Sequence, residues 1–291
     1  MNDGDKIVAC DNENCPHLPE NVKRKVPEDF RGFQHSQMGE PHNQYRQISC
    51  PAELQKVLWC PNDVGDNNKV EVFTLKDSWS SGSDVGKNRA RSELSEIEKK
   101  EAKDNEHMTY SWWFRIPDGS HLYRCQVSNI IGQIHNGVEE SAPLVILKLR
   151  NGKLWLNCHF LESEIYYSKT SSESNPEKEI ADLSKHEGKW LKVVLVIEFQ
   201  HSNKAPVKVK ASLSCKGKEL SEDSKNGKNC FDTKEIKPLN LKEYQFKPYF
   251  KYGLYRNLNN RKPCDCGCGD KEYKIQYAGV SICRDQVSDG K

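Results

Sequence analysis

The chain has 291 residues, enough to bury a large core as one big β domain or as two smaller ones. Its 44 Lys and Arg residues against 42 Asp and Glu leave a net charge of +2, which gives overall charge no role in binding nucleic acid and leaves anion recognition to local groupings. Hydrophobic residues at 35%, charged residues at 30% and the lack of an apolar run long enough to span a bilayer fit a well-hydrated protein with no membrane partner.

The start, Met1-Asn2-Asp3-Gly4-Asp5, is polar and shows none of the apolar stretch of a signal peptide. Residues 1–60 are rich in Pro, Asn, Gln, His and Cys with little periodicity. The domain reading is an irregular Cys-containing segment over 1–65, stapled through Cys10, Cys15, Cys50 and Cys60, packed on a β domain over 66–291. Pro51 to Trp59 has the composition of a short helix, and His17, His35 and His42 read as surface loop residues. Val70 to Leu75 alternates and predicts a strand; a Ser/Gly/Asp loop then leads to a strand through Arg91. The charged run from Ser95 to His107 is compatible with a solvated helix.

From there the β pattern dominates. Thr109–Ile116, Asn129–His135, Leu144–Arg150, Lys153–Phe160, Lys189–Phe199, Val207–Ser214, Tyr244–Tyr255 and Glu272–Cys283 all read as strands. Asn151-Gly152 is the clearest hairpin turn, while 171–187 and 217–237 read as polar surface loops. About ten strands with few helical stretches predict an all-β sandwich of the jelly-roll type.

Twelve cysteines, an even number and mostly scattered, favour disulfides and an oxidising compartment, hence secretion. Cys264, Cys266 and Cys268 can also hold a soft metal through thiolates. No C-x-x-C pair or neighbouring His completes a zinc site, so disulfides are preferred, with connectivity open, and no metal or cofactor is assigned.

Three strands carry unusual polar faces. Alternate residues of a strand share a face, so Tyr249, Lys251, Gly253 and Tyr255 lie on one side, with Phe250, Tyr252 and Leu254 on the other. Arg89, Arg91 and Glu93 share a face in the same way, as do Gln133 and His135. An arginine fork, an amide, an imidazole and a phenol are what β-elimination on a uronic-acid polymer needs. Arg91 and Gln133 can neutralise the carboxylate, so that charge developing at C5 spreads into it. His135 can take the C5 proton, Tyr255 can protonate the leaving O4, and Glu93 can orient the arginine. Arg89, Glu93, Tyr249 and Lys251 complete a surface for the anionic chain. Glycoside hydrolysis usually needs two flanking carboxylates, and these motifs supply one, Glu93. A Ser-His-Asp triad from Ser92 and His135 lacks the nucleophile-elbow sequence around any serine.

Arg91-Ser92-Glu93-Leu94, Gln133-Ile134-His135 and Tyr249-Phe250-Lys251-Tyr252-Gly253-Leu254-Tyr255 resemble, in order, the three signature blocks of the family 7 polysaccharide lyases, mostly alginate lyases. The resemblance covers roughly residues 70–285 and implies a concanavalin-like β-jelly roll with its catalytic groups on the concave face. It further implies Arg91 and Gln133 on the carboxylate, His135 as base and Tyr255 as acid, with the tyrosine able to serve as both on mannuronate. Ile134 matches members that accept guluronate. Two positions depart from the family pattern: Tyr252 stands where a small residue is usual, and Arg256 where Asn is usual. Lys251-x-Gly253-x-Tyr255-Arg256, with Tyr110-Ser111-Trp112-Trp113-Phe114, also resembles the related glucuronan and heparin lyase group. The expected activity is therefore lysis of an anionic polysaccharide, alginate first, by a secreted monomer. The alternatives are a glucuronan or heparin/heparan-type lyase, and a non-catalytic carbohydrate-binding jelly roll that uses Trp112, Trp113, Tyr249 and Tyr252 as stacking surfaces.

Overall fold

The structure, a computed structural model, describes residues 33–38, 45–49, 69–76, 89–96, 106–123, 125–135, 143–158, 177–199, 208–215, 218–219, 247–257 and 272–286. All regular structure among them is β. In chain order the strands are β1 (Phe33–Met38), β2 (Tyr45–Ser49), β3 (Lys69–Lys76), β4 (Arg89–Glu96), β5 (Glu106–Arg115), β6 (Asn129–His135) and β7 (Val145–Arg150). They continue with β8 (Lys153–Cys158), β9 (Glu177–Asp182), β10 (Leu191–Phe199), β11 (Lys208–Cys215), β12 (Lys218–Glu219), β13 (Tyr249–Asn257) and β14 (Glu272–Gln286).

These strands pair antiparallel into two seven-stranded sheets, as a jelly-roll sandwich requires. The first runs β1-β4-β13-β6-β7-β8-β9 and the second β12-β11-β10-β5-β14-β3-β2. One hydrophobic core lies between them. Leu94, Ile134, Leu147, Phe250 and Leu254 of the first sheet meet Phe73, Trp112, Phe114, Ile197 and Tyr277 of the second. Each such large side chain taken fully from water contributes roughly 1.5–3 kcal/mol before entropy is charged against it.

Alternation explains most of the strands. In β7, Val145, Leu147 and Leu149 are buried, while Ile146, Lys148 and Arg150 are half-exposed on the opposite face. The turn to β8 has φ of 51° at Asn151 and 71° at Gly152, the pair of positive values that a two-residue hairpin turn of matching twist demands.

Four strands differ from the sequence reading. Phe33–Met38 and Tyr45–Ser49 fall inside the segment read as irregular, and they form β1, paired with β4, and β2, paired with β3. Glu177–Asp182 and Lys218–Glu219 fall inside the two polar loops and form β9 and β12. β1, β9, β2 and β12 are the outermost strands of their sheets. An edge strand has one free side, carries charge and need not alternate, so periodicity does not reveal it. β9 buries only Ile180 and Ala181. The charged run also ends earlier than read, because Glu106 and His107 already belong to β5. The helix at 51–59, the run at 97–105 and eight of the twelve cysteines, including the proposed N-terminal staple, lie outside the described residues. Cys125, Cys158 and Cys283 are buried.

For function the decisive feature is topological. β13 lies between β4 and β6, so three segments far apart in sequence become neighbours in the first sheet.

Candidate active site

The register sets the site. On β13, Tyr255 stands opposite Arg91 of β4, and Gly253 opposite Glu93. On the other side, Lys251 stands opposite Gln133 of β6, and Tyr249 opposite His135. Phe250, Tyr252 and Leu254 point into the core, as does Ile134. Alternation therefore turns Tyr249, Lys251, Tyr255, Gln133 and His135 to the face away from the core, with Arg91 and Glu93 beside them. Arg89 lies at the end of that face, opposite Asn257. All eight residues singled out in the sequence share one face of one sheet.

Contacts between these side chains pre-form part of the site. Gln133 Nε2 donates to Glu93 Oε1 at 2.6 Å, although β13 lies between their strands. The contact is possible because the β13 residue facing Glu93 is Gly253, which sets no side chain in the way. Glu93 is 1% exposed and Gln133 3%, so this is a buried, charge-assisted bond. It fixes the Gln133 amide with its nitrogen towards Glu93 and leaves a second N–H on that nitrogen. The sequence reading has Glu93 orient Arg91; to that expectation the structure adds the bond by which Glu93 holds Gln133.

Arg91 places its guanidinium carbon 5.4 Å from the centre of the Tyr255 ring. Lys251 Nζ lies 5.5 Å from the centre of the Tyr249 ring. The Tyr249 ring stacks on His135, with centroids 5.0 Å apart and planes within 16°. Burial, and then the Glu93 charge, push the Tyr249 phenol above its usual range. Tyr249 thus enters the site as a neutral phenol that holds the imidazole plane.

Behind the face, several residues to which sequence reasoning gave no part in holding the site fix the strands. Glu96 Oε2 accepts the Phe250 N–H at 2.9 Å. Tyr252, one of the two departures from the family pattern, turns inward and donates its hydroxyl to Glu71 Oε2 at 2.8 Å. Arg256, the other, is 1% exposed; it donates to Asn129 Oδ1 at 2.6 Å and lies 3.7 Å from the Tyr273 ring centre. Tyr277 donates its hydroxyl to the Gly253 and Ile131 carbonyls at 2.9 and 2.6 Å. In sequence Tyr277 looks like an ordinary core position, and no local signal separates it from the rest.

The stacking surfaces proposed for a binding module are mostly elsewhere. Trp112 and Tyr252 are buried in the core, and Trp113 packs with Val70, Val72 and Ala278 in a second apolar cluster. Of the four aromatics, Tyr249 is on the site face. Among the described residues no group of three His, Cys, Asp or Glu is arranged to hold a metal, and Cys264, Cys266 and Cys268 lie outside them.

The face therefore gathers guanidinium, ammonium, amide, imidazole and phenol groups around a glycine. Such a set can bind a carboxylate, withdraw charge from it and move protons on either side.

A family model described as polysaccharide lyase matches residues 33–278. Among solved structures, an alginate lyase from Pseudomonas aeruginosa is 17% identical, with 87% of this chain and 98% of that one covered at a TM-score of 0.44. An alginate lyase from Klebsiella pneumoniae is 15% identical over 73% of this chain and 80% of that one, at a TM-score of 0.45. A family 7 alginate lyase in complex with substrate is 12% identical over 84% of this chain and 94% of that one, at a TM-score of 0.46. No curated protein matches the chain.

Proposed function

Because the chain belongs to the polysaccharide lyase family, we propose that it cleaves a uronic-acid-containing anionic polysaccharide by β-elimination, alginate first. The register of β13 carries this reading: it sets Tyr255 opposite Arg91 on one side, and Lys251 and Tyr249 opposite Gln133 and His135 on the other. One sugar carboxylate can then be gripped between strands while proton-transfer groups flank it.

In the proposed reaction Arg91 and the remaining N–H of Gln133 hold the carboxylate. Charge leaving C5 spreads into it as an enolate. His135 removes the C5 proton, and the electron pair forms the C4–C5 double bond. The C4–O4 bond breaks, and Tyr255 gives its proton to the departing oxygen. On mannuronate Tyr255 would make both proton transfers. Glu93 keeps the Gln133 amide aimed, and Lys251 and Arg89 attract the chain.

Glucuronan or a heparin-type polymer is the second reading, favoured by Lys251 and Tyr255 sharing the site face. The discriminating experiment is incubation of the purified protein with alginate, glucuronan, heparin and hyaluronan, following ultraviolet absorbance of the unsaturated product. Absorbance should rise with alginate first. Saturated products with water added at the anomeric carbon would make the protein a hydrolase and end this proposal.

An extracellular polymer calls for a secreted enzyme, and the cysteine content fits that setting: most of the twelve should be paired, stapling the N-terminal segment and other loops. The mass of the unreduced, alkylated protein counts the thiols; a majority of free thiols would overturn the pairing.

A further inference from the structure

The strands that carry the site do not advance in step. From Tyr252 to Tyr255, β13 advances three residues while β6 advances two, from Gly132 to Ile130. Over the same stretch β7 advances one, from Leu147 to Lys148. The registers therefore skip Ile131 on β6 and, between β13 and β6, Gly253 and Leu254. Bulges of this kind re-aim side chains and bend a sheet. Here the irregularity divides the site. Tyr255 and Arg91 lie on one side of it; Lys251, Gln133, Tyr249 and His135 lie on the other. Whatever holds the irregularity sets the distance between the phenol and the amide–imidazole pair.

The carbonyls of Gly253 and Ile131, at its centre, share the single proton of the Tyr277 hydroxyl in a three-centre hydrogen bond, at 2.9 and 2.6 Å. Tyr277 belongs to β14, in the second sheet, and is fully buried. A ladder carbonyl lies in the plane of its sheet, so these two must tilt into the core to meet a hydroxyl from across the sandwich. The ring is wedged edge-on against Phe73 and Tyr252, at 5.4 and 5.3 Å between centroids, which fixes where the hydroxyl sits. Burial pushes the Tyr277 phenol well above its usual range, so it stays a donor at any working pH.

We propose that Tyr277 is a positioning residue for the lyase site, its hydroxyl holding the Gly253 and Ile131 carbonyls and thereby the spacing of Tyr255 from Gln133 and His135. Its kinetic consequence rests on the lyase reading; its geometric consequence does not.

The test is Tyr277→Phe beside Ile282→Val, a buried change on the same strand away from the irregularity. Tyr277→Phe keeps the ring and its packing, so it should fold. With the best polymer substrate, kcat should fall roughly 10- to 100-fold, the scale of small misplacements of reacting groups, with KM within about twofold. Ile282→Val should leave kcat unchanged when both variants are assayed equally far below their Tm. Hydrogen exchange should quicken in Tyr277→Phe at the amides of 131–133 and 253–255 and stay as in the wild type along β7 and β8. Equal kcat in the two variants, exchange that rises uniformly, or a Tyr277→Phe chain that does not fold would each overturn the assignment. If the wild type cleaves none of the polymers, the lyase reading fails, and the local or uniform pattern of exchange alone decides for or against Tyr277.

Discussion

Tyr255 differs from phenylalanine by one oxygen, and in the proposed reaction that oxygen carries the proton to the leaving group. Tyr255→Phe keeps the ring that lies 5.4 Å from the Arg91 guanidinium carbon, so the melting temperature should hold. Turnover should fall by roughly 100-fold or more, the contribution typical of acid–base help. Arg91→Lys keeps the charge but loses the planar fork that grips a carboxylate with two parallel bonds, and kcat/KM should fall with it. Lys251→Ala should act differently: it removes attraction for the chain, raising KM more than it lowers kcat. Steady-state kinetics of the three variants, with thermal melts beside them, separate these roles. A folded Tyr255→Phe protein with near wild-type kcat would remove Tyr255 from the mechanism.

At the scale of the element, β13 is fitted so closely to β4 that one methyl group is too many. Gly253 has φ of 134°, which side-chain-bearing residues rarely adopt, and an added Cβ would lie 2.3 Å from the Ser92 carbonyl oxygen and 2.8 Å from Glu93 Cα. Both obstacles are backbone, so β4 itself must move. Gly253→Ala should cost at least about 1–3 kcal/mol and shift Arg91 and Glu93 along with β4. A fall in Tm accompanied by loss of activity is expected; an unchanged Tm would show that β4 yields freely. The glycine was visible in sequence only as room on a polar strand face. The structure adds that its bareness also lets Glu93 reach Gln133 across β13. The central strands were legible because their burial alternates, and the site face because its residues break that alternation with charge. β1, β2, β9 and β12 were not, because edge strands answer to solvent on one side. Nor was the hold of Tyr277 on Gly253 and Ile131, which are 24 and 146 residues away and become neighbours only when the sheets stack.

Across the whole molecule, the interior holds phenols that must keep their protons. Tyr110 and Tyr277 are fully buried; desolvation pushes both well above their usual range, and nearby carboxylates add to the effect, Glu96 and Glu106 at Tyr110, Glu93 and Glu71 at Tyr277. The Gly253 hydrogen bond and the Arg284 charge oppose the shift without reversing it. Tyr249 is raised in the same direction. In the unfolded chain these groups titrate near pH 10. Below that pH the folded and unfolded states hold the same phenolic protons, and these groups give stability no pH dependence. Above it the unfolded chain releases protons that the folded protein keeps, so the unfolded state binds fewer and stability falls as pH rises. The midpoint of urea unfolding should therefore decline from about pH 10 upward. Tyr277→Phe removes one of the phenols responsible, so its decline should be shallower than that of the wild type, even though the variant is less stable at neutral pH. Urea titrations of both proteins from about pH 8 to 11 check this. Parallel declines in the two would mean that Tyr277 ionises as easily in the folded protein as outside it, a result that cannot be squared with a buried hydroxyl committed to two carbonyls.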